Sequence, residues 1–270
     1  MRREKHKRSD DIRNPVREKI ERRQQEIDRK LRIPKILFSI LFAALFIVLS
    51  KTKMFPILGT HFHFSMGVMF GPALGGLLGM NLGLATIILS QAVGTAIGLY
   101  TIKDTLSLLV FFPIMFGSIY FARSFRGDKK IAAIPLLMMA AFIAHPVGRQ
   151  VWFYSLYWLI PVAVIQFKDR IDAVLRHPVA RTYSYSLGTA FVDHSVGSVI
   201  YLWFLNIPAA MWIAAIPLTL FERLLIALGI TISFHAVKAA MNALQDVAVA
   251  VANAHAEPQR ARRPVPVPAR

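Results

Sequence analysis

The fold class of this chain is decided by residues 60–79, THFHFSMGVMFGPALGGLLG. Two histidines, His61 and His63, stand near its start, and the rest is apolar and rich in small residues. Four glycines recur at every fourth position, namely Gly67, Gly71, Gly75 and Gly79. On a helix they would form one stripe, where another helix backbone can approach closely inside lipid. In water each glycine disfavours a helix by roughly 1 kcal/mol relative to alanine, so the stretch predicts an intramembrane packing helix.

Composition supports a membrane protein for the chain as a whole. Of its residues, 55% are hydrophobic and only 17% are charged. From residue 36 to residue 237 the sequence is a series of apolar runs, each near the roughly 20 residues needed to cross a bilayer. We therefore predict an all-α, polytopic transmembrane helix bundle with six to eight spans. The spans expected are 33–50, 62–80, 82–100, 105–122, 131–147, 150–166, 183–205 and 209–237. The count stays open because 131–147 and 150–166 are short and could form one re-entrant pair.

The formal net charge of +17 sits mostly at the chain ends. This placement indicates basic cytoplasmic tails near anionic lipid rather than a nucleic-acid-binding protein. Residues 1–32 are expected to form a basic tail with a surface amphipathic helix, and residues 33–237 the transmembrane domain. Residues 238–270 are expected to extend the last helix into the cytoplasm and to end in a disordered tail rich in Pro and Arg.

Lys and Arg in the loops set the expected orientation. The loops 123–130 and 167–182 each carry four of them, and no loop expected outside carries more than two. Because cytoplasmic loops are enriched in Lys and Arg, we predict a multi-pass protein of the cell membrane with both termini in the cytoplasm.

Three charged residues fall inside the predicted spans: Asp193, Glu222 and Arg223. A charge within a span costs at least a few kcal/mol, so each needs a partner or a function. Asp193 and Glu222 lie at a depth similar to that of Arg223, which makes an interhelical ion pair feasible. Such a pair could hold two helices together, or it could bind a ligand or an ion.

Histidines supply the next candidates. His61 and His63 lie on the same side only if their segment is extended, and His194 adjoins Asp193. Together the three imidazoles and the carboxylate form an acceptable ligand set for zinc, nickel or cobalt. Whether they meet, and so whether a metal binds, stays open. The chain contains no cysteine, and we expect no cofactor.

A polar and aromatic cluster follows at the predicted outer surface and consists of Arg149, Gln150, Trp152, Tyr154, Tyr157 and Trp158. Aromatic residues at such a place commonly form an interfacial belt. The alternative is the wall of a ligand site, in which Arg149 and Gln150 provide hydrogen bonds.

The order of features in residues 33–85 resembles the substrate-binding S component of energy-coupling factor (ECF) transporters. A basic lead-in precedes a first helix, ILFSILFAALFIVLS at 36–50, and a looped segment then leads to the glycine-rich MFGPALGGLLG at 69–79. The resemblance implies that Ser39 and Ala43 match an Ala-x-x-x-Ala face that docks on a coupling subunit. The Asn206-Ile207-Pro208 turn and the helix containing FERLL at 221–225 look like the closing hairpin of that family.

These features together predict a membrane-embedded solute-uptake protein and not an enzyme. It would bind a small nutrient, a vitamin-like molecule or a metal ion, under a lid formed by residues 51–64. Separate coupling and ATPase subunits would supply energy, because the chain has no Gly-x-x-x-x-Gly-Lys-Ser/Thr phosphate loop. The substrate-binding candidates are His61, His63, Arg149, Gln150, Trp152, Asp193 and His194. The alternatives are an ion-coupled carrier or channel that uses Asp193, Glu222 and Arg223, and an intramembrane metal-dependent hydrolase.

Overall fold

The structure is a computed structural model that describes residues 33–56 and 63–261, without the side chains of Phe55 and of residues 252–261. Residues 35–238 form one compact unit. The other unit comprises residues 1–34 and 239–270, and its described part is helical from residue 239 to residue 261. The surface helix predicted within residues 1–32, His61 and the end of the predicted tail lie outside the described residues.

The described chain is helical apart from one hairpin, which confirms the all-α class. The α-helices are α1 (Lys35–Lys51), α2 (Gly67–Leu78), α3 (Met80–Ala96), α4 (Thr105–Leu109), α5 (Phe112–Arg126), α6 (Ala133–Ala144), α7 (Pro146–Gln150), α8 (Leu159–Gln166), α9 (Lys168–Val174), α10 (Pro178–Phe204) and α11 (Ala209–Ala261). Two 3₁₀ helices span Lys129–Ala132 and Trp152–Trp158. The strands β1 (Lys53–Pro56) and β2 (His63–Ser65) pair antiparallel, with Lys53 opposite Ser65 and Pro56 opposite His63.

Helix ends follow local sequence signals. The Asp104 carboxylate accepts a hydrogen bond from the backbone N–H of Ser107 and so caps α4. Gly127 ends α5 in the left-handed conformation that glycine adopts without strain. Pro178 opens α10 directly after His177, where its missing N–H costs nothing.

Helices α5 and α10 form the centre of the bundle. Helix α10 packs against α5, α6 and α8, while α2 packs against α1, α3 and α5. The glycine stripe allows the close contact between α2 and α5, since a Cβ atom at Gly75 would overlap the backbone carbonyl oxygen of Ser118 in α5. Gly79 was wrongly included in that stripe. It has a φ of 92° and separates α2 from α3, and no described residue beyond its neighbours places an atom within 4 Å of where its Cβ would be.

Fewer helices than expected meet the length and composition needed to cross a membrane. Among the described residues these are the stretches Thr105–Arg126 and Ala209–Val251, so the expected six to eight spans are not confirmed. Helix α2 has 12 residues and rises only about 18 Å, because residues 63–65 form a strand and Gly79 ends the helix. The predicted segments 131–147 and 150–166 are divided among the two 3₁₀ helices, α6, α7 and α8. Pro146 is the first residue of α7, directly after the break that ends α6.

Candidate functional site

A cavity of about 250 Å³ lies among the helices of the 35–238 unit. Its walls come from α1, β2, the start of α2, α3, the start of α5, the 3₁₀ helix Trp152–Trp158, α10 and α11. Ligand sites for drug-sized molecules have volumes of about 300–1,000 Å³ and apolar walls with a few polar groups. The volume of this cavity therefore suits a small molecule.

The three charged residues that the sequence singles out meet at one wall of the cavity. Nη1 of Arg223 lies 3.7 Å from Oδ2 of Asp193, and Nη2 of Arg223 lies 3.4 Å from Oε2 of Glu222. Arg223 is fully buried, and Asp193 and Glu222 are 4% and 8% exposed. Helices α10 and α11 are thus joined by the ion pair that the sequence made feasible.

This charge cluster is incompletely hydrogen-bonded within the described part of the chain. Oδ1 of Asp193 and both Nε and Nη1 of Arg223 are buried and have no hydrogen-bond partner there. The ring of Phe64 in β2 covers the guanidinium, with its centroid 4.6 Å from Cζ of Arg223. A guanidinium carries five N–H donors, so Arg223 keeps unused capacity to bind an oxygen acceptor.

His194 is fixed as a neutral imidazole beside the cluster. The indole Nε1–H of Trp158 donates to Nδ1 of His194 over 3.1 Å. Because an indole N–H can only donate, Nδ1 is unprotonated and the ring proton is on Nε2. Nε2 lies 3.0 Å from the hydroxyl oxygen of Tyr154 and 3.2 Å from that of Ser198. Both ring nitrogens are therefore used by neighbouring side chains.

The histidines do not assemble a metal site in the described structure. No group of three or more His, Cys, Asp or Glu side chains that could hold a metal ion occurs among the described residues. His63 is exposed and lies at the cavity wall, and His61 lies outside the described residues. His194 reaches the same cavity but makes the hydrogen bonds described above.

The structure separates the other predicted binding residues from the cavity. Arg149 and Gln150 end α7 and are exposed, and Trp152 is 52% exposed. None of the three lines the cavity. These three residues are therefore not part of the cavity wall.

Two aromatic residues of the predicted polar and aromatic cluster belong to the site. Tyr154 lines the cavity, and the indole N–H of Trp158 donates to His194 at its wall. Gln91, Tyr100, Trp212 and Thr219 also line the cavity, and no local sequence pattern marks these four residues.

Ser39 and Ala43 lie on α1, which packs against α2 and α3. Ser39 is 6% exposed and Ala43 is half-buried. Their placement fits helix packing within this chain. The docking role that the resemblance implies would need Ser39 to be accessible.

Comparison with protein-family models, with curated proteins and with solved structures finds no match for this chain. Buried charges, unused hydrogen-bonding atoms and aromatic walls are the chemistry of a binding site.

Proposed function

We propose that this chain is a multi-pass membrane protein that binds a small water-soluble solute in the cavity. Its role would be that of the substrate-binding subunit of an ECF-type transporter, with energy supplied by separate coupling and ATPase subunits. The observation that carries the proposal is the incompletely paired Asp193–Arg223 cluster in the cavity wall.

The geometry of the cluster favours ligand binding over a purely structural ion pair. A buried ion pair offsets the desolvation of its charges only when its geometry is good and its remaining hydrogen-bonding atoms are satisfied. Here the two N–O distances are 3.4 and 3.7 Å, and three polar atoms lack partners in the described structure. A bound solute would satisfy those atoms.

The hairpin supplies a candidate lid. His63, Phe64 and Ser65 of β2 line the cavity, and the Phe64 ring covers Arg223. In this proposal the hairpin moves to admit the solute and carries the ring away from Arg223. The proposed lid corresponds to the loop 51–64, of which residues 57–62 lie outside the described residues.

A second candidate is an ion-coupled carrier. With both carboxylates ionised, Asp193, Glu222 and Arg223 carry a formal net charge of −1, which a coupling cation or a proton would neutralise. Uptake by the purified chain alone in liposomes distinguishes the two, because a carrier would catalyse it without ATPase subunits.

The deciding experiment identifies small molecules that co-purify with the detergent-extracted protein. Gly197 lines the cavity, and the nearest atom to a Cβ there would be Cγ of Pro113 at 3.6 Å. Gly197→Leu should therefore narrow the cavity without displacing the backbone. We expect mass spectrometry to find a solute with the wild type and with the exposed control Trp152→Ala, but not with Gly197→Leu. A solute retained by Gly197→Leu, or no solute in any preparation, would contradict the proposal.

A further inference from the structure

We infer that the solute is an α-amino acid whose ammonium group binds Asp193 and whose carboxylate binds Arg223. This inference rests on the proposed function, since it names the ligand class of the same cavity. Its basis is that the cavity wall contains both an unpaired carboxylate oxygen and unpaired guanidinium N–H donors.

The unused polar atoms concentrate around the cavity. The buried side-chain atoms without a hydrogen-bond partner in the described residues are Ser50 Oγ, Gln91 Oε1, Tyr100 OH, Ser118 Oγ, Asp193 Oδ1, Trp212 Nε1, Arg223 Nε and Arg223 Nη1. All of them except Oγ of Ser118 belong to residues that line the cavity. A buried donor or acceptor left unpaired costs free energy, so their gathering at one space indicates a polar ligand.

At the charged wall the unused atoms require opposite groups within one ligand. Oδ1 of Asp193 is an acceptor that needs a cationic or neutral N–H donor, while Nε and Nη1 of Arg223 are donors that need an oxygen. Because Asp193 and Arg223 are themselves neighbours, the two ligand groups must be close together. Ammonium and carboxylate groups on one carbon atom meet this condition.

Charge decides between a zwitterion and a ligand with one charge. A carboxylate alone would make the formal charge of the buried cluster more negative, from −1 to −2. An amine alone would leave the Arg223 donors unpaired. A zwitterion pairs both residues and leaves the net charge unchanged, which makes it the least costly ligand to bury.

The rest of the cavity suits an amino-acid side chain. Phe111, Tyr154 and Trp212 provide aromatic surface along the walls. A second polar group at the cavity consists of the unused atoms of Ser50, Gln91 and Tyr100. These residues belong to α1, α3 and the segment after α3, and not to α10 or α11. A side chain with an aromatic or amide group can pack on the rings and hydrogen-bond at this second polar group.

The test uses the purified full-length chain and measures its melting temperature with each of the twenty common L-amino acids. For each amino acid that stabilises the protein, titrations then compare it with the matched amine, which lacks the carboxylate, and the matched acid, which lacks the amino group. For phenylalanine these are phenethylamine and 3-phenylpropionate. We expect at least one amino acid to bind, and both of its analogues to bind at least about tenfold more weakly, which corresponds to the loss of one charged contact.

Asp193→Asn assigns the ammonium contact, because it keeps the shape and removes the charge. It should weaken binding of the amino acid about tenfold or more and should not weaken binding of the matched acid, because the repulsion from the Asp193 carboxylate is removed, whereas Trp152→Ala should change neither. The inference is overturned if none of the twenty amino acids stabilises the chain, or if either analogue binds as tightly as its parent. If a different co-purified solute depends on Gly197, the inference fails and the proposed function stands. If no solute binds or co-purifies at all, both fail.

Discussion

Arg223 is the residue whose loss should cost the chain most stability. Arg223→Met leaves the buried carboxylates of Asp193 and Glu222 without their cation, which typically costs about 3–5 kcal/mol. For a chain of this size that corresponds to a fall of roughly 10 °C in melting temperature. The exposed Arg149 gives the matched control, and Arg149→Met should change the melting temperature by about 2 °C or less. Equal melting temperatures for both variants would show that the cluster is not held as described.

Trp158 offers a second test at the scale of one side chain. Trp158→Phe keeps an aromatic ring but removes the donor to Nδ1 of His194, so it should cost about 1–3 kcal/mol. Trp152→Phe makes the same replacement at a residue that is 52% exposed and should be nearly neutral. Thermal melting of both variants checks this. Similar melting curves would mean that the tautomer of His194 is not set by Trp158.

The residues of the site were only partly predictable from sequence. Asp193, Glu222 and Arg223 stood out because charge is rare within apolar segments, and the structure brings all three together. Arg149, Gln150 and Trp152 were grouped with them on chemistry alone, yet they are exposed. Gln91 and Tyr100 reach the cavity through the packing of α1, α3 and α5, and no spacing within the sequence encodes such long-range contacts.

At the scale of elements, the contact between α2 and α5 depends on Gly75. Gly75→Ala would place a methyl group against the backbone of Ser118, which cannot move aside as a side chain can. Overpacking of this kind costs about 1–3 kcal/mol, so the melting temperature should fall by several degrees.

The matched control for Gly75 is Gly197→Ala in α10. Within the part of the chain that the structure describes, a Cβ atom there meets only Pro113, at an ordinary contact distance of 3.6 Å, and alanine favours a helix over glycine. This variant should melt at or above the wild-type temperature. A fall as large as that of Gly75→Ala would mean that glycine is required at both positions for reasons other than close packing.

Helix formation was predictable from the apolar runs, but helix boundaries were not. The glycine period of four suggested that the helix continues to Gly79, whereas the positive φ of Gly79 ends it. The pairing of His63–Ser65 with Lys53–Pro56 shortens the same helix at its start. Both effects depend on backbone conformation and strand pairing, which hydropathy does not report.

For the whole molecule, orientation in the membrane is the property to test. The chain contains no cysteine, so single cysteines can be introduced against an unreactive background. If Lys and Arg face the cytoplasm, a cysteine at Asp128 should be protected from a membrane-impermeant thiol reagent in intact cells, and one at the exposed Thr52 should react. Permeabilised cells provide the control, since both positions should then react. The opposite pattern in intact cells would reverse the proposed topology.

The Phe64 ring over Arg223 has a consequence for the speed of binding. If the hairpin is the proposed lid, a solute enters only after the ring moves aside, so association should follow a first-order opening step. In stopped-flow measurements of tryptophan fluorescence, to which Trp212 at the cavity contributes, the observed rate should rise with solute concentration and then level off at the opening rate. Phe64→Ala should remove this plateau and speed both entry and escape, so that a solute once held for long times would exchange freely.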